Sequence, residues 1–331
     1  MTENPAEIVL TAGSASKEYD GAALTEAGVN VSGLPAGFTV QAEVTGSQTD
    51  AGTGANTIES YRILNAAGED RTACFTGVTT REGVLTVTPR TLNIVTADAE
   101  KEFDGLPLTG EGVTAEGLAE GESVTLAVTG SLTDVGMAEN SFEITWDNAK
   151  ESNYSVLARC GTLMVKPSTQ EIILSTQTAA ATYSGKPLRR SRITAEGLPE
   201  GYTVKGNVTG SQTQAGSSLN TLAEDFRIFD AEGEDRTEYF TNIRIEPGTL
   251  TVKPRQLVII TGGGEKEYDG DPIWSEEITV EGLVRGESVT VRTNGSQTEK
   301  GSSLNTYLIL WDHAKASNYV IREQLGRLTV K

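Results

Sequence analysis

Hydrophobic residues recur at every second position through much of this chain. Phe38, Val40, Ala42 and Val44 alternate with Thr39, Gln41 and Glu43, and Val124, Leu126 and Val128 are spaced in the same way. Phe142, Ile144 and Trp146 lie in phase, as do Leu250 and Val252. A period of two marks strands with one buried and one wet face. Turn formers such as Gly33-Leu34-Pro35-Ala36-Gly37 and Gly197-Leu198-Pro199-Glu200-Gly201 separate the runs. Glycine supplies positive φ there and proline pre-sets φ for the turn. No capped window of helical period occurs, and the nearest candidates, around 147–151 and 312–316, suffice for a single turn.

Self-comparison finds three blocks repeated in order. An aromatic tripeptide ends in Gly21, Gly105, Gly185 and Gly270, spaced 84, 80 and 85 residues apart. A middle block follows each by 25 residues, with its glycine at Gly46, Gly130, Gly210 and Gly295. A closing block opens at Gly83, Gly161, Gly248 and Gly326. From middle to closing glycine the distances are 37, 31, 38 and 31, so the repeats are of two kinds. The first and third carry Gly-Glu-Asp-Arg-Thr inserts at 68–72 and 233–237; the second and fourth carry Trp146-Asp147-Asn148 and Trp311-Asp312-His313. The order is A-B-A-B, a duplicated doublet.

Short strands, brief turns and no helix predict an all-β chain of four tandem small antiparallel β-sandwich domains of immunoglobulin-like type. The expected boundaries are A1 at 1–89, B1 at 90–167, A2 at 168–254 and B2 at 255–331. Pro89, Pro167 and Pro254 stand at the crossovers with no Gly/Ser linker, and proline restrains its own φ and its predecessor. That predicts stiff end-to-end joints and an elongated array on the order of 130–160 Å, from strands rising ~3.3 Å per residue.

Composition narrows the function. Of 331 residues 46 are acidic and 27 basic, a net charge of −19. Such a chain disfavours nucleic acid, which is held by clustered Lys and Arg. No apolar run is long enough to insert in a membrane, and Met-Thr-Glu-Asn-Pro at the start lacks the regions of a signal peptide. One histidine, His313, and two cysteines, Cys74 and Cys160, provide for neither a multi-His metal site nor a disulfide framework. No cofactor or metal is expected, and acidity predicts a soluble monomer.

The blocks resemble the Gly-rich YDG and MBG repeats of large bacterial cell-surface proteins. The matching residues are Lys-Glu-Tyr-Asp-Gly at 17–21 and 266–270, the Gly-Leu-Pro turns, Val-Thr-Gly-Ser-Gln-Thr at 44–49 and 208–213, and Gly-Thr-Leu-Thr-Val-Lys-Pro at 248–254. The third repeat departs at Thr182-Tyr183-Ser184-Gly185. The resemblance implies a non-catalytic stalk or spacer of an adhesin-like protein, extracellular and attached to the cell through parts of the parent protein not present here. The alternative it leaves open is a ligand-binding adhesin or carbohydrate-binding module with a protein or glycan ligand; a glycan-acting enzyme ranks third.

Candidate chemistry is sparse. Tyr19, Phe103, Tyr183 and Tyr268 read as aromatic plugs at strand ends, and Trp146 and Trp311 share the phase of inward neighbours. Trp274 aligns with Thr25, Thr109 and Arg189, polar positions of the other repeats, and is the one ligand-contact candidate. The Gly-Glu-Asp-Arg-Thr inserts offer oxygens to calcium, but Arg71 and Arg236 oppose it, so a solvated loop is expected. Arg189-Arg190-Ser191-Arg192 is a local basic spot. Lys17, Lys101 and Lys266 with Asn153 and Asn318 raise a Lys–Asn isopeptide bond, which the absence of that Lys from the third repeat disfavours. Cys74 and Cys160 face Tyr239 and Leu325 in the duplicate and read as separate thiols. No nucleophile–base pair is apparent, because His313 aligns with Asn148.

Overall fold

The computed structural model describes residues 6–331; the first five, read above for a signal peptide, lie outside them. The chain divides into two compact units, Met1–Lys166 and Pro167–Lys331, each holding one A and one B repeat. Strands and short 3-10 turns make up its regular structure, with no α-helix among the described residues. The all-β architecture is as the alternation required.

Repeat A1 shows the plan. Its strands are β1 (Ile8–Ala12), β2 (Ala15–Glu18), β3 (Val29–Ser32), β4 (Phe38–Val44), β5 (Gly52–Asn56), β6 (Ile58–Asn65), β7 (Val78–Arg81) and β8 (Gly83–Thr88). They form the sheets β3-β1-β7 and β2-β8-β5 and the hairpin β4-β6. β1 and β8 are central and most buried, with Ile8, Leu10 and Leu85 fully covered. β1 and β2 are nearly one run, broken at Gly13, that passes from the first sheet to the second; β7 and β8 repeat the manoeuvre around Glu82.

Pairing is mixed, which corrects the expectation of wholly antiparallel sheets. β1 is antiparallel to β3 but parallel to β7, and β8 is parallel to β2 but antiparallel to β5. The opening and closing runs of each repeat therefore lie side by side in the same direction. The other three repeats share the scheme, as in B1 with Val113–Glu116, Arg90–Thr96 and Tyr154–Arg159. Periodicity reports which face of a strand is buried and carries no record of its direction, so this could not be read from the sequence.

Single turns also occur where only the B repeats led us to expect them. Glu151–Asn153 and Ala316–Asn318 begin at the last residue of the predicted windows, and Thr72–Cys74 and Thr237–Tyr239 are single turns in the A repeats.

The cores do not stop at the repeat boundary. Tyr19 and Val87 of A1 cluster with Leu92, Ile94, Ala119, Ala149 and Tyr154 of B1. In the second unit Tyr183, Leu250 and Val252 cluster with Leu257, Ile259 and Tyr319. A second cluster in A1 gathers Ile8, Leu10, Ala12, Ile58, Ile63 and Phe75. Apolar surface at the end of each A repeat is thus removed from water by the B repeat that follows it.

Candidate functional site

The recurring motif side chains are the first to test for chemistry, and nearly all are occupied by the fold. In the Tyr-Asp-Gly turn, Lys17 Nζ donates to Asp20 Oδ1 at 2.5 Å and to the Ala22 carbonyl at 2.7 Å. Asp20 also accepts from the Ala22 N–H at 2.9 Å, and Gly21 takes φ +83°. The Lys17 ammonium holds the Asp20 carboxyl below the usual carboxylate range. Lys101–Asp104 and Lys266–Asp269 are built in the same way. These lysines, weighed above for isopeptide chemistry, close turns, while Asn153 bonds to Asp50 and Ala51 and Asn318 to Gln214 and Ala215.

Three of the four tripeptide aromatics are plugs as expected. Tyr19, Phe103 and Tyr183 are buried, whereas Tyr268 is 49 % exposed. Tyr19 Oη donates to Glu122 Oε1 at 2.6 Å across the A–B boundary. Tyr154 donates to the other oxygen of Glu122, accepts from the Ala119 N–H at 2.9 Å, and meets Tyr19 edge-on at 5.7 Å. Trp146 stacks on Tyr154. Burial and the Glu122 carboxylate push the Tyr154 phenol up to about 12. The second unit repeats the arrangement with Tyr183, Glu287, Tyr319 and Trp311. Trp146 and Trp311 thus belong to the packing, as their phase implied.

A buried polar node escaped the sequence reading. Asn56, Asn140, Asn220 and Asn305 are fully buried. Their Nδ2 groups donate to carbonyls at the strand break, Gly13 for Asn56, Ala97 for Asn140, Gln177 for Asn220 and Gly262 for Asn305. The middle-block glycine lies against this asparagine: a Cβ on Gly130 would meet Asn140 Cα at 2.7 Å. The signal was present, since each asparagine follows that glycine by ten residues (46 to 56, 130 to 140, 210 to 220, 295 to 305). Polar residues at strand ends are common, so it did not stand out.

The insert of A1 is a closed loop. Asp70 Oδ1 accepts from the Thr72 N–H and hydroxyl, and Arg71 pairs with Glu69. Among the described residues no three His, Cys, Asp or Glu side chains come together to hold a metal ion. Arg189 donates to Ser211 Oγ at 3.3 Å and Arg190 to the Arg189 carbonyl. Cys74 and Cys160 form no disulfide, and a hydrogen bond to Glu139 pushes Cys160 up.

One nucleophile–base contact does form, contrary to expectation: Ser288 Oγ lies 3.0 Å from His313 Nδ1. The duplicate explains it. In B1, Ser123 donates to Asn148 Oδ1 through both N–H and Oγ, so His313 ties the same loop that Asn148 ties. The adjacent Asp312 accepts from Thr290 Oγ1 and is not a third member of a triad. An alignment cannot show that two loops 25 residues apart touch.

The tryptophan singled out above lies on a groove at the surface of B2. Trp274, 61 % exposed, stands at the rim of a groove of about 450 Å³ with Glu276, Arg292, Asn294 and Gly295. The segment that carries it is fixed by the Ile273–Gln297 bridge, with both N–H groups donating across. Arg292 and Asn294 flank Thr293 at the end of strand Val289–Thr293. Asn294 Oδ1 accepts from the Thr306 hydroxyl at 2.7 Å, which leaves the side-chain NH₂ as a donor. The side chains of Trp274, Glu276 and Arg292 have no hydrogen-bond or ion-pair partner among the described residues.

No family model matches the chain, and no curated protein matches it. Among solved structures it is similar to the extracellular domain of protocadherin gammaB4, at 11 % identity over 97 % of this chain and 66 % of that one, with a TM-score of 0.24. Drosophila N-cadherin EC1-4 is similar at 10 % identity over 98 % and 99 % of the two chains, TM-score 0.18. A Bacteroides ovatus glucan-utilization protein, SGBP-B, solved with a mixed-linkage heptasaccharide, follows at 12 % over 96 % and 65 %, TM-score 0.14. Likenesses this distant carry nothing of those proteins' activities to this chain.

Proposed function

We propose that this chain is a non-catalytic scaffold segment of an adhesin-like bacterial surface protein, displayed outside the cell as a spacer. The observation that carries this reading is the fate of the recurring polar side chains. Lys17 and Asp20 close a turn, Asn140 pins a strand break, and Tyr19, Glu122 and Tyr154 lock A1 to B1. Residues repeated for catalysis would have to present reactive atoms to a substrate; these present them to one another and to the backbone. The resemblance to YDG and MBG repeats supports the extracellular setting, and high net charge keeps repeated domains from associating.

The test places no, one or two copies of the Met1–Lys166 unit between a cell-wall anchor and a reporter binding domain on a bacterial surface. Bead capture through a polymer brush should rise with copy number. Capture independent of copy number would overturn the spacer reading, and hydrolysis by the purified chain in a glycan-substrate screen would overturn its non-catalytic part.

A further inference from the structure

The two B repeats share one fold, yet their outward faces differ in a concerted way. B1 has Thr109, Ala127, Glu143 and Thr145 where B2 has Trp274, Arg292, Leu308 and Leu310. The inward residues between them keep their character: Ile144 and Trp146 correspond to Ile309 and Trp311. Arg292 pairs with Leu308 and Thr290 with Leu310 across the hairpin, so these side chains share the outer face. Leu308 and Leu310 are each 64 % exposed. Packing requires none of these exchanges; those to Trp274, Leu308 and Leu310 raise the cost of leaving the surface in water, and Ala127 to Arg292 adds a charge beside them.

We infer that the Trp274 groove of B2 is a binding site for a neutral oligosaccharide, a role independent of the scaffold reading. An exposed indole offers a flat apolar face with one N–H donor at its edge, which suits the C–H face of a pyranose ring. The rim has the complement that sugar hydroxyls require: the Arg292 guanidinium and the Asn294 NH₂ donate, and the Glu276 carboxylate accepts. None has to break an existing bond to do so. The ligand is neutral because the groove pairs one cationic with one anionic side chain, and the net charge of −19 repels acidic polymers. The groove volume of about 450 Å³ falls within the range of small-ligand sites. Leu308 and Leu310 extend the apolar surface past Arg292.

The test titrates the full chain with cellohexaose, maltohexaose, mannohexaose and xylohexaose, reading the Trp274 indole N–H resonance and the heat of binding. At least one sugar should shift that resonance. Trp274→Ala should weaken binding at least about tenfold, near 1.4 kcal/mol, and Arg292→Ala should weaken it several-fold, with melting unchanged in both. Tyr268→Ala, which removes an exposed aromatic elsewhere on the same repeat, should leave binding intact. If no sugar moves the Trp274 resonance, or if binding survives Trp274→Ala, the proposal is overturned. A surface protein captured through Trp274 without any sugar response would overturn it too, and would make the groove a protein contact.

Discussion

Glu122 serves two phenols at once, Tyr19 from A1 and Tyr154 from B1, and both rings lie in the core. An unfolded tyrosine ionises near 10, while folded Tyr154 and Tyr319 hold their protons up to about 12. In that window the native chain binds more protons than the unfolded chain, so stability falls as pH rises. Below about pH 10 the contribution is fully present. Urea midpoints should therefore decline between about pH 10 and 12, and the double variant Tyr154→Phe with Tyr319→Phe should flatten the decline. Each of the two substitutions should also cost about 1–3 kcal/mol at neutral pH, because the carboxylate and a backbone N–H lose their partner. A second residue-scale expectation concerns the node: Asn140→Ala empties a fully buried site and removes the bond from its Nδ2 to the Ala97 carbonyl. It should cost about 1–3 kcal/mol in a denaturation curve, and Gly130→Ala should destabilise as well, because its Cβ meets Asn140 Cα at 2.7 Å.

At the scale of elements, the A–B joint rests on a buried amide and an exposed ion pair that should contribute unequally. Asn153 Oδ1 accepts from the Ala51 N–H at 2.8 Å and its Nδ2 donates to Asp50 at 3.0 Å. Lys150 pairs with Asp50 at 2.6 Å in solvent. In the second unit Asn318 makes the same bond to Ala215, but Gln214 replaces Asp50, so the amide is common to both joints and the charge is not. Asn153→Ala should cost about 1–3 kcal/mol and Lys150→Ala less than about 1 kcal/mol, measured by urea unfolding of each variant. Added salt should weaken only the Lys150 contribution. The turn that carries Asn153, Glu151–Asn153, was legible as a short turn. Its role was not, because its partners Asp50 and Ala51 lie in the preceding repeat.

For the whole molecule, compactness follows the doublet: the units end at Lys166 and begin at Pro167. The core cluster that joins Tyr19 and Val87 to B1 makes the A–B pair the folding unit. Separate fragments of residues 1–166 and 167–331 should each unfold cooperatively by calorimetry. A fragment of residues 1–89 leaves Tyr19 and Val87 in water, and should melt well below the pair. Independent melting of residues 1–89 at the temperature of the pair would contradict this.

The sequence by itself determined what is local and recurrent. Alternation set the buried face of each strand, glycines of positive φ such as Gly21 set the turns, and block spacing counted four repeats of two kinds. The first two depend on residues within a few positions of one another, and the third on recurrence along the chain. Tertiary structure alone decided the parallel pairing of opening and closing strands, the asparagine node and the Tyr–Glu–Tyr lock, whose Tyr19 and Glu122 stand 103 residues apart. It also decided that Tyr268 is left in water while its three counterparts are covered. Trp274 was singled out by alignment as an aromatic among polar positions. Only the fold set Arg292, Asn294 and Glu276 around it, because the segments that carry them are brought together by the bridge from Ile273 to Gln297.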